Sequence, residues 1–116
     1  EFVVVTDARR KELYRRDYRV HEDELGPVIT PLGDPRVGPP EDVPALPCYG
    51  SGAGLYPDRL SHAVPGFSDL HPSAADLARA AWAITSRGQE LSTDTSPLYL
   101  RDSDAKVPAS PKRATR

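Results

Sequence analysis

The sequence predicts an α/β domain, built on a mixed sheet that begins with an antiparallel hairpin and carries packed helices. Three observations predict this class: a run of β-branched and aromatic residues at 2–6, an alternating segment at 12–20, and a helical pattern of apolar residues at 74–86. A chain of 116 residues has the length of one domain. We therefore expect a single sheet with helices packed on it.

The first two predicted strands form a hairpin. Residues 2–6 are a continuous β-branched and aromatic run, which is typical of a strand buried on both faces. The polar residues 7–11 predict a turn, and residues 12–20 predict the second strand. Because side chains alternate along a strand, three residues of this second strand share one face: Tyr14, Tyr18 and Val20.

The middle of the chain is rich in proline, with 13 prolines in all, about twice the average share of about 5%. Proline cannot donate to a strand ladder or lie inside a helix, so short elements and rigid turns are expected. The predicted order is a loop at 21–27, a third short strand at 28–30, a stretch broken by proline and glycine at 31–40, a short helix at 39–43, a fourth strand at 47–50, a short helix at 55–60 and a brief fifth strand at 64–70.

The clearest helix covers residues 74–86. Ser73 is the expected N-cap, with Asp76 three residues later in a variant of the capping box, and Gly88 provides the C-terminal stop. Trp82 is expected to cover the edge of the apolar stripe. The stripe consists of Leu77, Ala80, Ala81 and Ile84.

Residues 89–96 predict a polar loop, and residues 97–101 a final extended segment. We therefore expect the folded domain to cover residues 1–101, followed by a flexible basic tail at 102–116. Three antiparallel strands followed by alternating helices and strands are the ribonuclease-H-like order, which occurs in each half of the actin-like ATPase superfamily.

Composition limits the possible functions. The net charge is −2, which is too neutral for a dedicated nucleic-acid-binding domain. Cys48 is the only cysteine, so no internal disulfide forms and a cytoplasmic location is expected. No segment has the roughly 20 apolar residues that a membrane span needs. The chain contains no methionine, so we expect it to be a fragment that lacks an N-terminal domain.

Few residues are placed to carry chemistry. Gly50–Gly54 lies between a strand and a helix, as phosphate-binding loops do, but it departs from both common glycine motifs and more often marks a tight turn. Cys48 is expected to be a buried thiol. The three histidines show no metal-ligand spacing. Asp7 ends the first strand, where turn formation is the common role of an aspartate. We therefore expect no catalytic residue, no metal and no cofactor.

The predicted hairpin is basic. Six of the first 20 residues are Lys or Arg, and they are interleaved with tyrosines as on surfaces that bind single-stranded RNA. The alternative interpretation is a strand with one solvated, charged face. Bases in the tail could also contact tRNA phosphates.

Three segments resemble the second domain of the TsaB family (also called YeaZ, and formerly described as glycoprotease-like). Residues 3–14 resemble the strand of that domain and its following Asp-Ala-Arg and Glu-Val-Tyr motifs. Residues 50–53 resemble its central glycine turn, and residues 97–101 its terminal Pro-Leu-Tyr-Leu-Arg, continued at 104–106 in an actinobacterial style. The matching positions, of unknown role, are Asp7, Arg9, Glu12, Tyr14, Gly50, Gly52, Tyr99 and Arg101.

One departure from the family is Arg15-Arg16, where members usually carry Trp-Ala. Position 16 is expected on the face of Tyr14 and Tyr18, so Arg16 must pair or extend towards solvent.

The resemblance implies a non-catalytic scaffold subunit of the complex that forms threonylcarbamoyladenosine in tRNA. In that family the partners are TsaD, which binds nucleotide and metal, and TsaE. Contacts to TsaD are made chiefly by N-terminal helices, so we expect this fragment to fold without catalysing or dimerising. Two other functions remain open: a glycoprotease-like peptidase or hydrolase, and an RNA-binding module that uses the basic hairpin.

Overall fold

The computed structural model describes residues 1–101. Four strands form one mixed sheet in the order β3-β2-β1-β4. β1 pairs antiparallel with β2 and parallel with β4, and β2 pairs antiparallel with β3. The strands are β1 (Phe2–Asp7), β2 (Leu13–Asp23), β3 (Gly26–Gly38) and β4 (Cys48–Tyr49). The predicted α/β class and the antiparallel start of the sheet are confirmed.

β1 is buried on one face and half-buried on the other. Val3 and Val5 have no exposed surface, whereas the alternating positions Phe2 and Val4 retain part of theirs. The prediction of a strand buried on both faces is therefore half right. The buried valines pack into a small core with Leu13, Cys48, Ala53 and Leu60.

β2 and β3 form a long hairpin, which corrects two predictions. The expected loop at 21–27 is reduced to a turn between Asp23 and Gly26, and the expected short strand at 28–30 extends over 13 residues. β3 contains three internal prolines but lies at the edge of the sheet, where a missing N–H group on the outer side is tolerated. A register shift between Arg15 and Asp17 bends the hairpin.

The segment that follows β3 consists mostly of turns. A 3₁₀ helix at Pro40–Asp42 confirms the predicted helix start, and the fourth strand lies where it was predicted. The helix predicted at 55–60 is wrong, because only a 3₁₀ turn at Ala53–Leu55 forms. Residues 64–70 form no strand; one isolated bridge joins Cys48 to Ala63 beside them.

Helix α1 (Ala74–Ser86) has the predicted bounds. The Ser73 hydroxyl accepts a hydrogen bond from the Asp76 N–H (3.1 Å), and Gly88 adopts φ +72° after the last turn. However, α1 contains no buried residue. Trp82 is 75% exposed, so its expected packing along the apolar stripe is wrong.

Residues 97–101 form no regular strand, and Leu98 and Tyr99 are exposed. The tail predicted at 102–116 lies outside the described residues. No helix within residues 1–101 is long and apolar enough to cross a membrane.

Candidate functional site

The β1–β2 turn brings together several of the residues that the sequence singled out. The Asp7 carboxylate accepts a hydrogen bond from the Arg9 N–H (2.8 Å) and forms an ion pair with the Arg9 side chain (3.3 Å). Ala8 N–H donates to the Glu12 carbonyl, and Glu12 N–H donates to the Arg9 carbonyl, each at 3.0 Å. Asp7 therefore closes a turn, which is the common role of an aspartate at this position.

Three consecutive residues of this turn have left-handed backbone conformations. Arg9, Arg10 and Lys11 have φ of 62°, 55° and 61°. Such a conformation costs a non-glycine residue roughly 1–2 kcal/mol, and strained backbone of this kind clusters at functional sites. The turn thus presents three cationic residues from a fixed, strained loop.

Arg101 joins this turn from the other end of the described chain. Its guanidinium donates to the Ala8 carbonyl (3.2 Å) and forms an ion pair with the Glu12 carboxylate. The two side chains of the ion pair are 25% and 34% exposed. The structure therefore places Asp7, Arg9, Glu12 and Arg101 in one cluster, which we call the turn cluster.

The glycine turn packs directly against β1. A Cβ atom on Gly50 would lie 2.4 Å from the Val5 carbonyl oxygen, and one on Gly52 would lie 2.8 Å from the Leu13 side chain. The N–H of Gly52 donates to the Val5 carbonyl (3.1 Å), and that of Gly50 to the Phe67 carbonyl (2.9 Å). These two amides are therefore already occupied by backbone acceptors, and the glycines serve close packing.

A cavity of about 320 Å³ lies at the end of β1 beyond the glycine turn. Asp69 and His71 join Asp7 there, and no sequence motif indicated that these residues meet. No group of three or more His, Cys, Asp or Glu side chains within residues 1–101 is arranged to hold a metal ion. The cavity is lined by Asp7, Ser51, Gly54, Leu55, Ser68, Asp69 and His71.

Cys48 is buried in β4, as the sequence predicted. Burial raises the pKa of its thiol to about 11, so the thiolate is scarce at neutral pH. The backbone of His62 pairs with Cys48 (2.9 Å), but the His62 ring lies within hydrogen-bond distance of Ser61 Oγ (2.9 Å). This neighbourhood is unsuited to an activated cysteine nucleophile.

The second face of the sheet carries a row of aromatic rings. The sequence predicted only that the two tyrosines of β2 share a face. Tyr18 stacks on Phe2 with ring centroids 5.5 Å apart, Phe2 meets Tyr49 edge-on, and Tyr49 meets Phe67 edge-on, again at 5.5 Å. We call this surface the open face. Its residues are Phe2, Val4, Thr6, Tyr14, Arg16, Tyr18, Tyr49 and, at its border, Phe67.

Arg15 and Arg16 are consecutive in β2 and belong to opposite faces of the sheet. Arg16 is in register with Val4 on the open face, and its Nε donates to the Gly33 carbonyl (3.1 Å) at the bulge. Arg15 is in register with Val5 and with Arg36. The predicted basic hairpin is thus divided between the two faces, and Arg16 finds a backbone partner as expected.

Tyr14 and Tyr99 complete the predicted positions. Tyr14 is 38% exposed on the open face and lines a shallow depression of about 220 Å³ together with Arg16 and Tyr18. Tyr99 is 83% exposed and does not join the turn cluster.

The chain matches no protein-family model, and it has no significant similarity to a curated protein or to a solved structure.

Proposed function

We propose that this chain is the C-terminal domain of a TsaB-type protein, a non-catalytic scaffold subunit of the complex that forms threonylcarbamoyladenosine in tRNA. In this proposal the sheet is one ribonuclease-H-like half of an actin-like fold. The full-length protein works in the cytoplasm with TsaD and TsaE, and tRNA is contacted within that complex.

The turn cluster is the observation that carries the proposal. The segments that resemble the family are far apart in sequence, yet two of them meet here: Arg101 bonds to Ala8 and Glu12 at the end of the first hairpin. The third, the glycine turn, packs on the same strand through Val5. Motif residues that hold one another in place are what a structural scaffold requires.

The side chains of the turn cluster also support a scaffold rather than an enzyme. The Asp7 carboxylate is occupied by Arg9, and the Glu12 carboxylate by Arg101. A general acid or base needs a proton-transfer position facing the substrate, whereas these carboxylates face arginines of the same chain. The high pKa of Cys48 disfavours the alternative of a thiol peptidase.

Domain replacement tests this proposal. The 116-residue chain is joined to the N-terminal domain of an authentic TsaB protein, and the chimera is expressed in bacterial cells depleted of their own TsaB. The threonylcarbamoyladenosine content of total tRNA is then measured by mass spectrometry. We expect the chimera to restore the modification. Arg101→Gln in the chimera should lower it, and Arg79→Gln, on the exposed surface of α1, should not.

The opposite results have distinct meanings. A chimera that folds and accumulates, but leaves tRNA unmodified, would contradict the family assignment. Binding of the isolated chain to TsaD as tight as that of full-length TsaB would contradict the assignment of the main contacts to the N-terminal domain of TsaB.

A further inference from the structure

A second cavity of about 320 Å³ lies between α1 and the β2–β3 hairpin. One wall consists of proline, valine and isoleucine side chains of β3, and the other of alanine and isoleucine side chains of α1. Arg87 spans the two walls, because its guanidinium donates to the Ala83 carbonyl in α1 and to the carbonyls of Gly26 and Pro27 in β3. We call this space the hairpin cavity.

The hairpin cavity exists because the residues of α1 that face the hairpin are short. Ala80 and Ala83 line it, and their side chains end at Cβ, so neither reaches across to β3. Ile84 of α1 is 37% exposed and Ile29 of β3 is 58% exposed, although both belong to the lining. Apolar surface on both walls is therefore left open to water, and removing such surface from water is favourable.

The size of the hairpin cavity suits a small molecule. Its volume lies within the range of about 300–1,000 Å³ that is typical of ligand pockets. An apolar cavity of about 150 Å³ holds one benzene, so about twice that volume admits a compound of two fused rings. The lining includes the Tyr18 ring and the Gln89 side chain. An aromatic ring packs favourably against another, and an amide offers both a donor and an acceptor.

Charge complementarity favours a neutral occupant. Among the described residues that line the hairpin cavity, only Arg87 is charged. Its guanidinium is already hydrogen-bonded to both carboxylate oxygens of Asp23, at 2.8 and 2.9 Å. A charged ligand would therefore lose its hydration without gaining an unpaired opposite charge, whereas a neutral ligand has no such cost.

We propose that the hairpin cavity binds a small, neutral aromatic molecule of two fused rings. This inference rests on the geometry of α1 and the hairpin alone, and it goes beyond the proposed scaffold function. The ligand contacts both walls at once. Because it binds only when α1 is docked, it stabilises the docked arrangement by mass action.

NMR spectroscopy with indole as the probe tests the proposal. The ¹⁵N-labelled chain of 116 residues is titrated with indole to about 5 mM, and we expect saturable shifts at residues 27–31 and 80–89 with a Kd of about 1 mM or tighter. At a free indole concentration of about five times Kd, amide hydrogen exchange in α1 should slow about sixfold.

A cavity-filling substitution provides the specific variant. Ala83→Leu places a larger apolar side chain in the hairpin cavity, so it should weaken indole binding about tenfold or more and slow exchange in α1 without indole. Ala78→Leu is the matched control, because Ala78 is exposed and lies about 140° further round the helix. Its Kd should equal that of the parent chain. Far-UV circular dichroism verifies the helix content of each variant.

Charged analogues of the probe provide a measurement that needs no variant. Indole-3-acetate adds an anion to the same ring system, and tryptamine adds a cation. Each should bind about tenfold more weakly than indole or worse, because Arg87 and Asp23 are already paired. Tighter binding of either analogue would show that the site selects a charge and would overturn the proposal of a neutral ligand.

Three further results would overturn the proposal. The first is the absence of saturable shifts up to about 5 mM indole. The second is an equal Kd in Ala83→Leu and in the parent chain, because indole would then bind elsewhere. The third is a set of shifts at residues 27–31 and 80–89 that depends on protein concentration without indole, because the occupant would then be a second copy of the chain. None of these results bears on the domain-replacement test.

Discussion

Arg87 clamps Asp23 with two hydrogen bonds: Nε donates to Oδ2 at 2.8 Å, and Nη2 donates to Oδ1 at 2.9 Å. The same guanidinium donates to the carbonyls of Gly26 (3.2 Å) and Pro27 (3.4 Å), and to Ala83 (3.1 Å) in the last turn of α1. The Arg87 side chain is only 13% exposed. A single residue therefore joins the C-terminal end of α1 to the tip of the β2–β3 hairpin.

Asp23→Asn should release α1 from the hairpin, because the amide cannot form the charge-assisted bidentate pair. α1 has no buried residue, and a helix of this length is marginal on its own in water. We expect faster amide hydrogen exchange at residues 80–87, measured by NMR. Asp58→Asn, an exposed acid outside this contact, should leave exchange unchanged, and equal protection in both variants would contradict the clamp.

Low pH should weaken the hydrogen bonds between Arg87 and Asp23. The hydrogen bonds from Arg87, and that from Leu25 N–H, lower the pKa of Asp23 from 3.8 to about 2. A carboxyl group whose pKa is lowered on folding contributes stability above its unfolded pKa, and this contribution is lost as pH falls through its folded pKa. Protection of α1 should therefore persist at pH 5 and fall between about pH 4 and about pH 2. A pH response that is the same in Asp23→Asn would contradict this assignment.

Gly50→Ala should be strongly destabilising. The new Cβ atom would lie 2.4 Å from the Val5 carbonyl oxygen, and the residue has φ +105°. The left-handed backbone costs about 1–2 kcal/mol, and the overlap adds about 1–3 kcal/mol. Gly66→Ala is the matched control, because Gly66 has φ +82° with nothing within 4 Å of a Cβ atom. We expect urea denaturation to show that Gly50→Ala loses about twice as much free energy of unfolding as Gly66→Ala. Equal losses would show that the contact with Val5 is not tight.

The sequence predicted the elements whose signals are local. The β-branched run favours the extended backbone of β1, and Ser73 favours a helix start at α1, without help from distant residues. Both elements were found at the expected residues. β3 was predicted too short, because its prolines are acceptable only at a sheet edge, and the position of a strand in a sheet is not a local property. The exposure of α1 was missed for the same reason: a periodic stripe indicates which side chains share a face, but not what covers that face.

The candidate sites were predictable to a similar degree. The resemblance marked Asp7, Glu12 and Arg101 without indicating that they meet, since their contact spans 89 residues. The open face depends on Phe67 and Tyr49, which reach β1 only through parallel pairing and loop packing. No spacing rule connects such positions, so the aromatic row became visible only with the sheet order.

Arg101→Gln should loosen the turn cluster. The variant loses the ion pair with Glu12 and the hydrogen bond to the Ala8 carbonyl. Because both side chains are about one-quarter to one-third exposed, solvent screening limits the expected loss to about 1 kcal/mol, measured by urea denaturation. Arg79→Gln removes a more exposed ion pair and should leave the midpoint nearly unchanged. Equal effects of the two substitutions would show that the Arg101 contact does not stabilise the fold.

The prolines of β3 should protect the edge of the sheet. Pro31 is in register with Tyr18, and within residues 1–101 no strand pairs with the other side of β3. A residue with an N–H group at position 31 would therefore add an outward donor to this edge. Unpaired edges of this kind recruit strands from other molecules, and proline is one of the natural defences. Pro31→Thr should therefore increase self-association, measured by light scattering at rising protein concentration. Val20→Thr, on the neighbouring inner strand, adds the same side chain without a new backbone N–H donor. Its self-association should equal that of the parent chain. If Pro31→Thr self-associates no more than Val20→Thr, the edge is protected by the twist and bulge of the hairpin rather than by its prolines.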